Sequence, residues 1–448
     1  MRSYGAIIAG KLIKKFSVFL GFGAGATWPG EVTLCISPHI LSLFTTQIKK
    51  GIILVAGTNG KTTTSLMIKD ILEGQGLRVV HNASGANLLN GVVSACISQS
   101  SWRGKLDADW GVFEVDENSL SIVIDQLSSP TLIGDPELDS RFHGNDKKRL
   151  VVVLLNLFRD QLDRYGEVDV IAEKWNKALG HLSRATVILN ADDPLVAHLG
   201  KNLTDVIYFG IEDRKQFIKE KEHATDSTFC LNCGSRLSYE GVYFSHLGMW
   251  SCPNCGERRP RVHFSKGISP LSGLYNWYNT LATVAVTKTL GISQSLIDKT
   301  LSEFKPAFGR QEEFLIEGKR IVLFLSKNPT GFNASLRTVL EFKPKVLLLI
   351  LNDRIPDGRD VSWVWDVDFE TIPGSVNVVV SGDRVYDMAL RMKYAQNIKN
   401  QKLFIEPNLK IAIGEGLKQL KKGETLYILP TYSAMLEVRK ILTGRKIL

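Results

Sequence analysis

Gly51-Ile-Ile-Leu-Val-Ala-Gly-Thr-Asn-Gly-Lys-Thr-Thr-Thr-Ser65 is the stretch from which the fold can be read. Gly51 to Val55 form a short β-rich run, and an apolar-periodic helical pattern follows the loop and continues to about Glu73. Between them lies Ala56-Gly57-Thr58-Asn59-Gly60-Lys61-Thr62-Thr63-Thr64. Strand, glycine-bearing loop and helix, in that order, make a phosphate-binding loop. Its glycines let backbone N–H groups converge on an anion, and the helix N-terminus adds the positive end of its dipole. Lys61 then neutralises the β- and γ-phosphates of ATP, and the Thr62 hydroxyl ligates Mg2+. The common spacing G-x-x-x-x-G-K-[ST] is not met, because Val55 stands where its first glycine would be. The flanking strand and helix are what give the loop its meaning.

Working outward, strands are expected at 79–81, 110–115, 151–156, 185–189 and 206–209, separated by helical patterns. Such alternation predicts a parallel α/β sheet. Residues 128–149 break the pattern: SSPTLIGDPELDSRFHGNDKKR is polar, turn-rich and aperiodic, and reads as a disordered insertion. It joins a helix to the next strand, which places it at the N-terminal edge of a parallel sheet, whereas ligands sit at the C-terminal edge. Asp139, His143 and Asp146 are therefore expected on the surface, and deleting the segment is expected to leave ATP hydrolysis intact. After about Glu313 strands recur at 320–325, 345–351, 375–380 and 425–429, the mark of a second, smaller α/β domain. The expected division is 1–45 for an N-terminal helix and Gly-rich segment, 46–312 for an ATPase domain, and 313–448 for a C-terminal α/β domain.

The 448 residues suit two to four domains of about 100–200 residues each. A net charge of +9 favours anionic partners (nucleotides, phosphorylated substrates, nucleic acid, an acidic membrane face) without choosing among them. Lys11, Lys14 and Lys15 precede the apolar run 16–26, but Gly21, Gly23 and Gly25 interrupt it and Trp28-Pro29 ends it. That is neither a clean signal peptide nor the roughly 20 apolar residues of a spanning helix. It reads as a basic amphipathic helix packed on the next domain, with contact to a membrane surface as the alternative.

Six cysteines in so long a chain exclude a secreted disulfide scaffold and suit a cytoplasmic protein. Cys230-Leu-Asn-Cys233-Gly and Cys252-Pro-Asn-Cys255-Gly form two knuckles within a segment, 226–260, that interrupts the ATPase domain. Two such knuckles fill all four positions of a tetrahedral Zn2+ site, leaving none for water, so the site is expected to be structural. The segment lacks a dense aromatic and basic stripe, so nucleic acid is not an expected partner. Cys35 and Cys96 sit in apolar segments and read as buried small hydrophobes. Carboxylates end two strands: Glu114, Asp116 and Glu117 after one, Asp160 and Asp163 after another. Beside a phosphate loop these are natural Mg2+ ligands or their supports.

Taken together these residues resemble the Mur ligase family and its folylpolyglutamate synthetase relatives. The resemblance rests on Gly57-Thr-Asn-Gly-Lys-Thr62, Phe113-Glu-Val-Asp-Glu117 and Asn156-Leu-Phe-Arg-Asp160-Gln-Leu-Asp-Arg-Tyr-Gly166. It extends to Asn190-Ala-Asp-Asp-Pro194, Leu274-Tyr-Asn-Trp-Tyr-Asn279 and Phe308-Gly-Arg310-Gln-Glu312. By this likeness Glu114 holds Mg2+ with Thr62, while Asn276, Asn279 and Arg310 attend the nucleotide. Gln161 stands where relatives carry a metal-holding histidine, so no second Mg2+ is carried over. The fold implied is a Mur-ligase-type central phosphate-loop ATPase domain with an inserted four-cysteine zinc ribbon, followed by a smaller Rossmann-like α/β domain.

Three features narrow the likeness: the chain begins almost directly at the ATPase domain, a ribbon interrupts that domain, and the C-terminal part carries Ser326-Lys-Asn-Pro-Thr-Gly-Phe-Asn333 and Asp357-Gly-Arg-Asp-Val-Ser-Trp363. These resemble the ligase subunits of lipid II isoglutaminyl synthase. The resemblance implies ATP-dependent amidation of the D-glutamate α-carboxyl of lipid II through an acyl-phosphate, in peptidoglycan biosynthesis. Ammonia would come from a GatD-like glutamine amidotransferase subunit, and the chain itself shows no glutaminase cysteine. Lys61 and Glu114 then serve the phosphoryl transfer, and either Asp357 or Asp360 orients the partner's histidine. The implied location is cytoplasmic, with peripheral contact at the inner membrane face left open. Two rivals stand beside this reading: a folylpolyglutamate-synthetase-like ligase, and a non-catalytic nucleotide-binding scaffold that activates a glutaminase.

Overall fold

The computed structural model describes residues 2–19, 26–82, 86–128, 148–160, 168–182, 185–218, 222–307, 309–395 and 402–444. Most of the expected insertion (129–147), Gln161, Asp163 and Phe308 lie outside them.

The strand before the phosphate loop, β1 (Gly51–Ala56), lies inside a six-stranded sheet. Its companions are β2 (Val79–His81), β3 (Trp110–Val115), β4 (Arg149–Leu154), β5 (Ala185–Asn190) and β6 (Val206–Phe209), in the order β2-β3-β1-β4-β5-β6. All neighbours pair in parallel. Every residue of β1 and β3 is buried, as expected for strands covered on both faces, and this is why they read as continuous rather than alternating apolar runs. Ile53 and Val55 enter one core with α4 (Lys61–Gly74) and its neighbours, while Ile52, Leu54 and Ala56 enter the other. From β1 the chain first builds β2 and β3 on one side, then crosses to β4 on the other. The crevice for a ligand in a doubly wound sheet opens at that reversal, beyond the C-terminal end of β1.

The N-terminal segment is not a unit apart. Helices α1 (Arg2–Phe19), α2 (Trp28–Ile36) and α3 (Ile40–Thr45) pack around α5 (Leu89–Gln99). Ile7, Ile40, Leu41 and Phe44 join the same core as Ile52 and Leu54. Gly10 permits the close crossing of α1 and α2, since a Cβ there would lie 2.4 Å from Thr33 Oγ1. The expectation of a helix packed on the next domain holds. Among the described residues no helix is long and apolar enough to cross a membrane.

Further along, α6 (Ser119–Ser128), α7 (Val168–Gly180), α8 (Pro194–His198), α9 (Leu274–Thr289) and α10 (Gln294–Ser302) complete the first domain. Within it, β7 (Ser238–Phe244) and β8 (Leu247–Ser251) make the antiparallel hairpin of the cysteine-bearing insertion. The second sheet comprises β9 (Arg310–Ile316), β10 (Lys319–Phe324), β11 (Val346–Ile350), β12 (Asn377–Ser381), β13 (Leu403–Ile405) and β14 (Thr425–Pro430). Its order is β13-β12-β11-β14-β10-β9, parallel except for the β9–β10 hairpin. Its helices are α11 (Pro329–Glu341), α12 (Val385–Tyr394), α13 (Leu409–Lys418) and α14 (Tyr432–Thr443). Strands β9 and β13 were not expected. β9 is a half-exposed edge strand with charge in its first half, and β13 is three residues long; neither carries a buried apolar run. β9 also straddles the division expected between 312 and 313.

Candidate active site and metal centre

The phosphate loop is braced from below by Asn156, which follows β4. Asn59 N donates to Asn156 Oδ1 at 2.8 Å, Asn156 Nδ2 donates to Asn59 O at 3.1 Å, and Thr58 N donates to Asn156 O at 3.0 Å. Gly60 adopts φ 92°, in the region glycine enters without steric cost. A Cβ at Gly60 would lie 2.0 Å from Asn279 Oδ1, so glycine is required here twice over. Asn279 in turn donates to Asn276 Oδ1 at 3.1 Å, and Asn276 donates to Ser272 O at 2.8 Å. The two asparagines singled out in the sequence therefore sit against the loop on α9.

Lys61 opens α4 and is buried. Its Nζ donates to Gly57 O at 2.5 Å and pairs with Glu117 Oε2 at 3.0 Å. Thr62 Oγ1 donates to Glu114 Oε2 at 2.7 Å, and Arg310 Nη2 donates to Thr62 Oγ1 at 3.1 Å. Glu114 and Asn82 exchange bonds, Glu114 N to Asn82 Oδ1 at 2.9 Å and Asn82 Nδ2 to Glu114 O at 2.8 Å, which holds the end of β3 in place. A hydroxyl and a carboxylate so placed beside a lysine fit a hard divalent cation that also touches phosphate. Thr58, Asn59, Thr62, Thr63 and Arg310 thus gather around the loop with Lys61 and Glu114.

The second domain contributes its own cation. Lys327, at the exit of β10, pairs with Asp160 Oδ2 at 2.5 Å. Beside it Asn328 caps α11, accepting from Gly331 N at 2.7 Å, and meets the phosphate loop through Asn328 Nδ2 donating to Asn59 Oδ1 at 3.2 Å. The charges respond to one another. Burial raises the Glu117 carboxyl's affinity for a proton, but Lys61 and Lys327 outweigh this and hold it below the usual carboxylate range. Burial and then the charge of Glu117 push Asp116 above that range. Lys327 is pulled down by burial and raised more by Asp160 and Glu117, so it stays a firm ammonium. Lys327, Asn328 and the bracing by Asn156 had no assigned role in the sequence. The available signal was a strand, short turn and capped helix at 320–333, the same grammar as the phosphate loop but with no glycine in the turn.

The four paired cysteines converge. Their Sγ atoms all lie within 4.8 Å of one another, with Cys230–Cys255 at 3.6 Å and Cys233–Cys252 at 3.5 Å. Zn–S bonds of about 2.3 Å in a tetrahedron imply S···S separations of about 3.8 Å, so the cluster fits such an ion. Each knuckle turns on a left-handed glycine, Gly234 (φ 72°) and Gly256 (φ 77°). The side chains of Asn254 and Ser235 hold the Cys233 thiol down at about 5, so it is ready to bind as thiolate.

The ribbon is also tied to the rest of the protein. Trp250 Nε1 donates to Ala191 O at 2.9 Å, and Asp192 accepts from Arg259 at 2.5 Å and from the Tyr278 hydroxyl at 2.6 Å. Asp193 caps α8 and accepts from Leu157 N at 2.8 Å. The motif at 190–194 therefore buttresses the end of β4 and the ribbon. Cys96 is buried as expected, but Cys35 is exposed on α2. Burial pushes the Cys96 thiol up to about 12.

Asp357 and Asp360 separate clearly. Asp357 is buried, and its two oxygens accept from the Ser433 amide (2.9 Å) and the Ser433 hydroxyl at the start of α14. Asp360 is exposed and caps its own turn, accepting from Ser362 N at 2.8 Å.

Comparisons with known proteins bear on the family and the fold. The Mur ligase middle domain model matches residues 143–287, and the MurT ligase C-terminal model matches 325–435. The MurT subunit of lipid II isoglutaminyl synthase (glutamine-hydrolyzing) from Staphylococcus aureus strain COL is 31% identical over 418 residues, 88% of this chain and 89% of that one. Its counterpart from Streptococcus pneumoniae is 32% identical over 450 residues, covering 95% and 94%. Among solved structures, a pseudomurein peptide ligase type C from Methanothermus fervidus superposes with a TM-score of 0.64 at 23% identity, over 90% of this chain and 81% of that one. MurF from Acinetobacter baumannii gives 0.59 at 16%, over 92% and 80%; these two speak for the fold alone. With near-complete coverage at that identity, and with a phosphate loop, a four-cysteine insertion and a second, mixed sheet in place, the chain belongs to the Mur ligase family, in its MurT branch.

Proposed function

We propose that the chain is the ligase subunit of a glutamine-hydrolysing lipid II isoglutaminyl synthase and amidates the D-glutamate α-carboxyl of lipid II. The observation that carries this is the convergence of two cations on Glu117, Lys61 of one domain paired with it and Lys327 of the other lowering its pKa, beside the Thr62–Glu114 bond, in a chain alike over nearly its full length to subunits of that name. On this reading 46–312 binds ATP and performs phosphoryl transfer, while 313–448 closes over the acceptor and meets the partner.

A substrate carboxylate oxygen attacks the γ-phosphorus of ATP, and ADP departs. Ammonia then adds to the acyl carbon, inorganic phosphate leaves, and a proton is lost from nitrogen. Lys61 and the loop amides stabilise charge as it builds on the transferring phosphoryl group. On this reading Lys327 counters the charge of the acyl-phosphate. Arg310 orients Thr62 and the nucleotide, and Asn276 and Asn279 hold the loop's shape. Mg2+ held by Thr62 and Glu114 would draw negative charge from the phosphates. Zn2+ on the four cysteines would be structural and would steady the segment behind Asp192.

Ammonia would come from a GatD-like glutaminase. Of the two aspartates, Asp360 is the one with solvent access, so we assign it the role of orienting the partner's histidine; Asp357 holds α14. Asp360→Asn should abolish glutamine-dependent amidation and spare ammonia-dependent amidation, whereas equal loss with both nitrogen sources would refute the role.

The deciding experiment supplies the purified chain and a glutaminase partner with ATP, lipid II and ammonium, and follows phosphate release and the mass of the lipid. An exchange of one hydroxyl for one amino group, dependent on ATP and on Lys61, supports the ligase. ATP binding without turnover, with lipid and partner shown competent, would favour the scaffold.

A further inference from the structure

The surface of α1 carries an apolar stripe that no part of the described protein covers. Ala6, Ile7 and Gly10 face inward. Leu12, Phe16 and Phe19, spaced i, i+4 and i+7, share the outward face and are 55%, 62% and 85% exposed. A groove of about 1030 Å³ runs beside them, lined by Leu12, Lys15, Phe16, Phe19, Ser98 and Trp102. Exposed large aromatics grouped in this way mark an interaction site.

The charge around the stripe has one sign. The first acidic residue of the chain is Glu31, and none occurs in 97–106. Lys15 lies 4.8 Å above the Trp102 ring, Lys14 lines the groove, and Arg103 and Lys105 follow Trp102 in the turn closed by the Ser101 N to Lys105 O bond. Lys11 is used internally, donating to Ile97 O at 2.7 Å and Ser100 O at 2.6 Å at the end of α5. The nearest carboxylates along the chain are engaged elsewhere: Asp107 with Lys49 and Arg78, and Glu31 with Asn90.

We propose that this patch docks the protein on an anionic phospholipid bilayer. Phe16, Phe19 and Leu12 enter the boundary between headgroups and acyl chains, Trp102 lies at headgroup level, and Lys14, Lys15, Arg103 and Lys105 meet lipid phosphates. A bilayer supplies both a hydrocarbon layer and a uniform negative surface, the two things this face lacks within the molecule. The proposal stands on the surface alone and does not depend on the ligase reading.

The test is flotation of the full chain with vesicles of phosphatidylcholine alone or with added phosphatidylglycerol. The protein is expected to bind the anionic vesicles at least about tenfold better. Phe16→Ser with Phe19→Ser, and separately Lys14→Glu with Lys15→Glu, should each weaken that binding by about tenfold or more. Both pairs should keep the parent's thermal unfolding transition. Absence of binding to anionic vesicles, or binding that neither pair alters, would overturn the proposal. So would a change in molecular mass by light scattering in the phenylalanine pair without a change in vesicle binding, which would assign the stripe to a contact between copies.

Discussion

Two strand–turn–helix units face each other across the site, and they solve different problems. In the first, β1 leads through Gly57 and Gly60 into α4, and both glycines have positive φ. A backbone of that shape presents N–H groups, which bind a phosphate without needing a side chain. In the second, β10 leads through Lys327 and Asn328 into α11, with Pro329 in the first turn. There the cap side chain satisfies the helix end itself, so the backbone is occupied and the turn delivers an ammonium instead. The pair meet where Asn328 bonds Asn59. The difference suggests that the first domain recognises what every nucleotide offers, and that the second adds charge only when the domains are together.

The largest test of this division is Lys61→Ala. Removing the buried cation should lower phosphate release by about a thousandfold or more, with ADP affinity less affected. A small effect would mean the backbone alone suffices and would break the contrast at its first term.

Acid should then separate the two domains. His81, at the end of β2, is buried and bonded to Ser65 at 3.1 Å, and burial, assisted by Lys69, lowers it to about 4. Its folded value lies below its unfolded value of about 6.5. The stability this carries is present above about pH 6.5, falls as the pH drops, and is lost by about pH 4. The shift is worth about 3 kcal/mol. All eight histidines of the chain precede residue 313, so the second domain has no counterpart. Hydrogen exchange in β1 and α4 should accelerate on acidification before exchange in β11 and β14, and His81→Gln should remove that difference.

Lys327→Ala should reduce amidation by about ten- to a hundredfold through kcat, while nucleotide binding to the isolated loop side changes little. If KM for ATP rose instead with kcat intact, Lys327 would belong to nucleotide binding. The smallest effect is expected from Asn328→Ala, which removes the α11 cap and the bond to Asn59. It should destabilise the second domain by about 1 kcal/mol, read from its denaturant midpoint, and a silent result would show that the loop contact is incidental.

Much of this could be read in advance because it depends on local order. The strand–glycine–lysine sequence at 51–62 requires its neighbours only in the chain, and two cysteine knuckles require only each other. The expected strands at 79–81 and 110–115 coincide with the wholly buried β2 and β3, whose apolar composition shows, and the one at 206–209 coincides with the half-buried edge strand β6. Strands β9 and β13 escaped because neither carries a buried apolar run: β9 is half-exposed with charge in its first half, and β13 has three residues, none of them buried.

The amino-acid sequence by itself determined the phosphate loop, the alternation that builds the parallel strands of two sheets, and the four thiols, because each is written in short-range spacing. Only the tertiary structure decided that Lys327 and Asp160 form a pair, that Asp357 is held within the fold while Asp360 faces solvent, and that Phe16 and Phe19 remain uncovered. Those outcomes depend on which surfaces meet when separate elements pack, and nothing in the spacing of either partner encodes the distance between them.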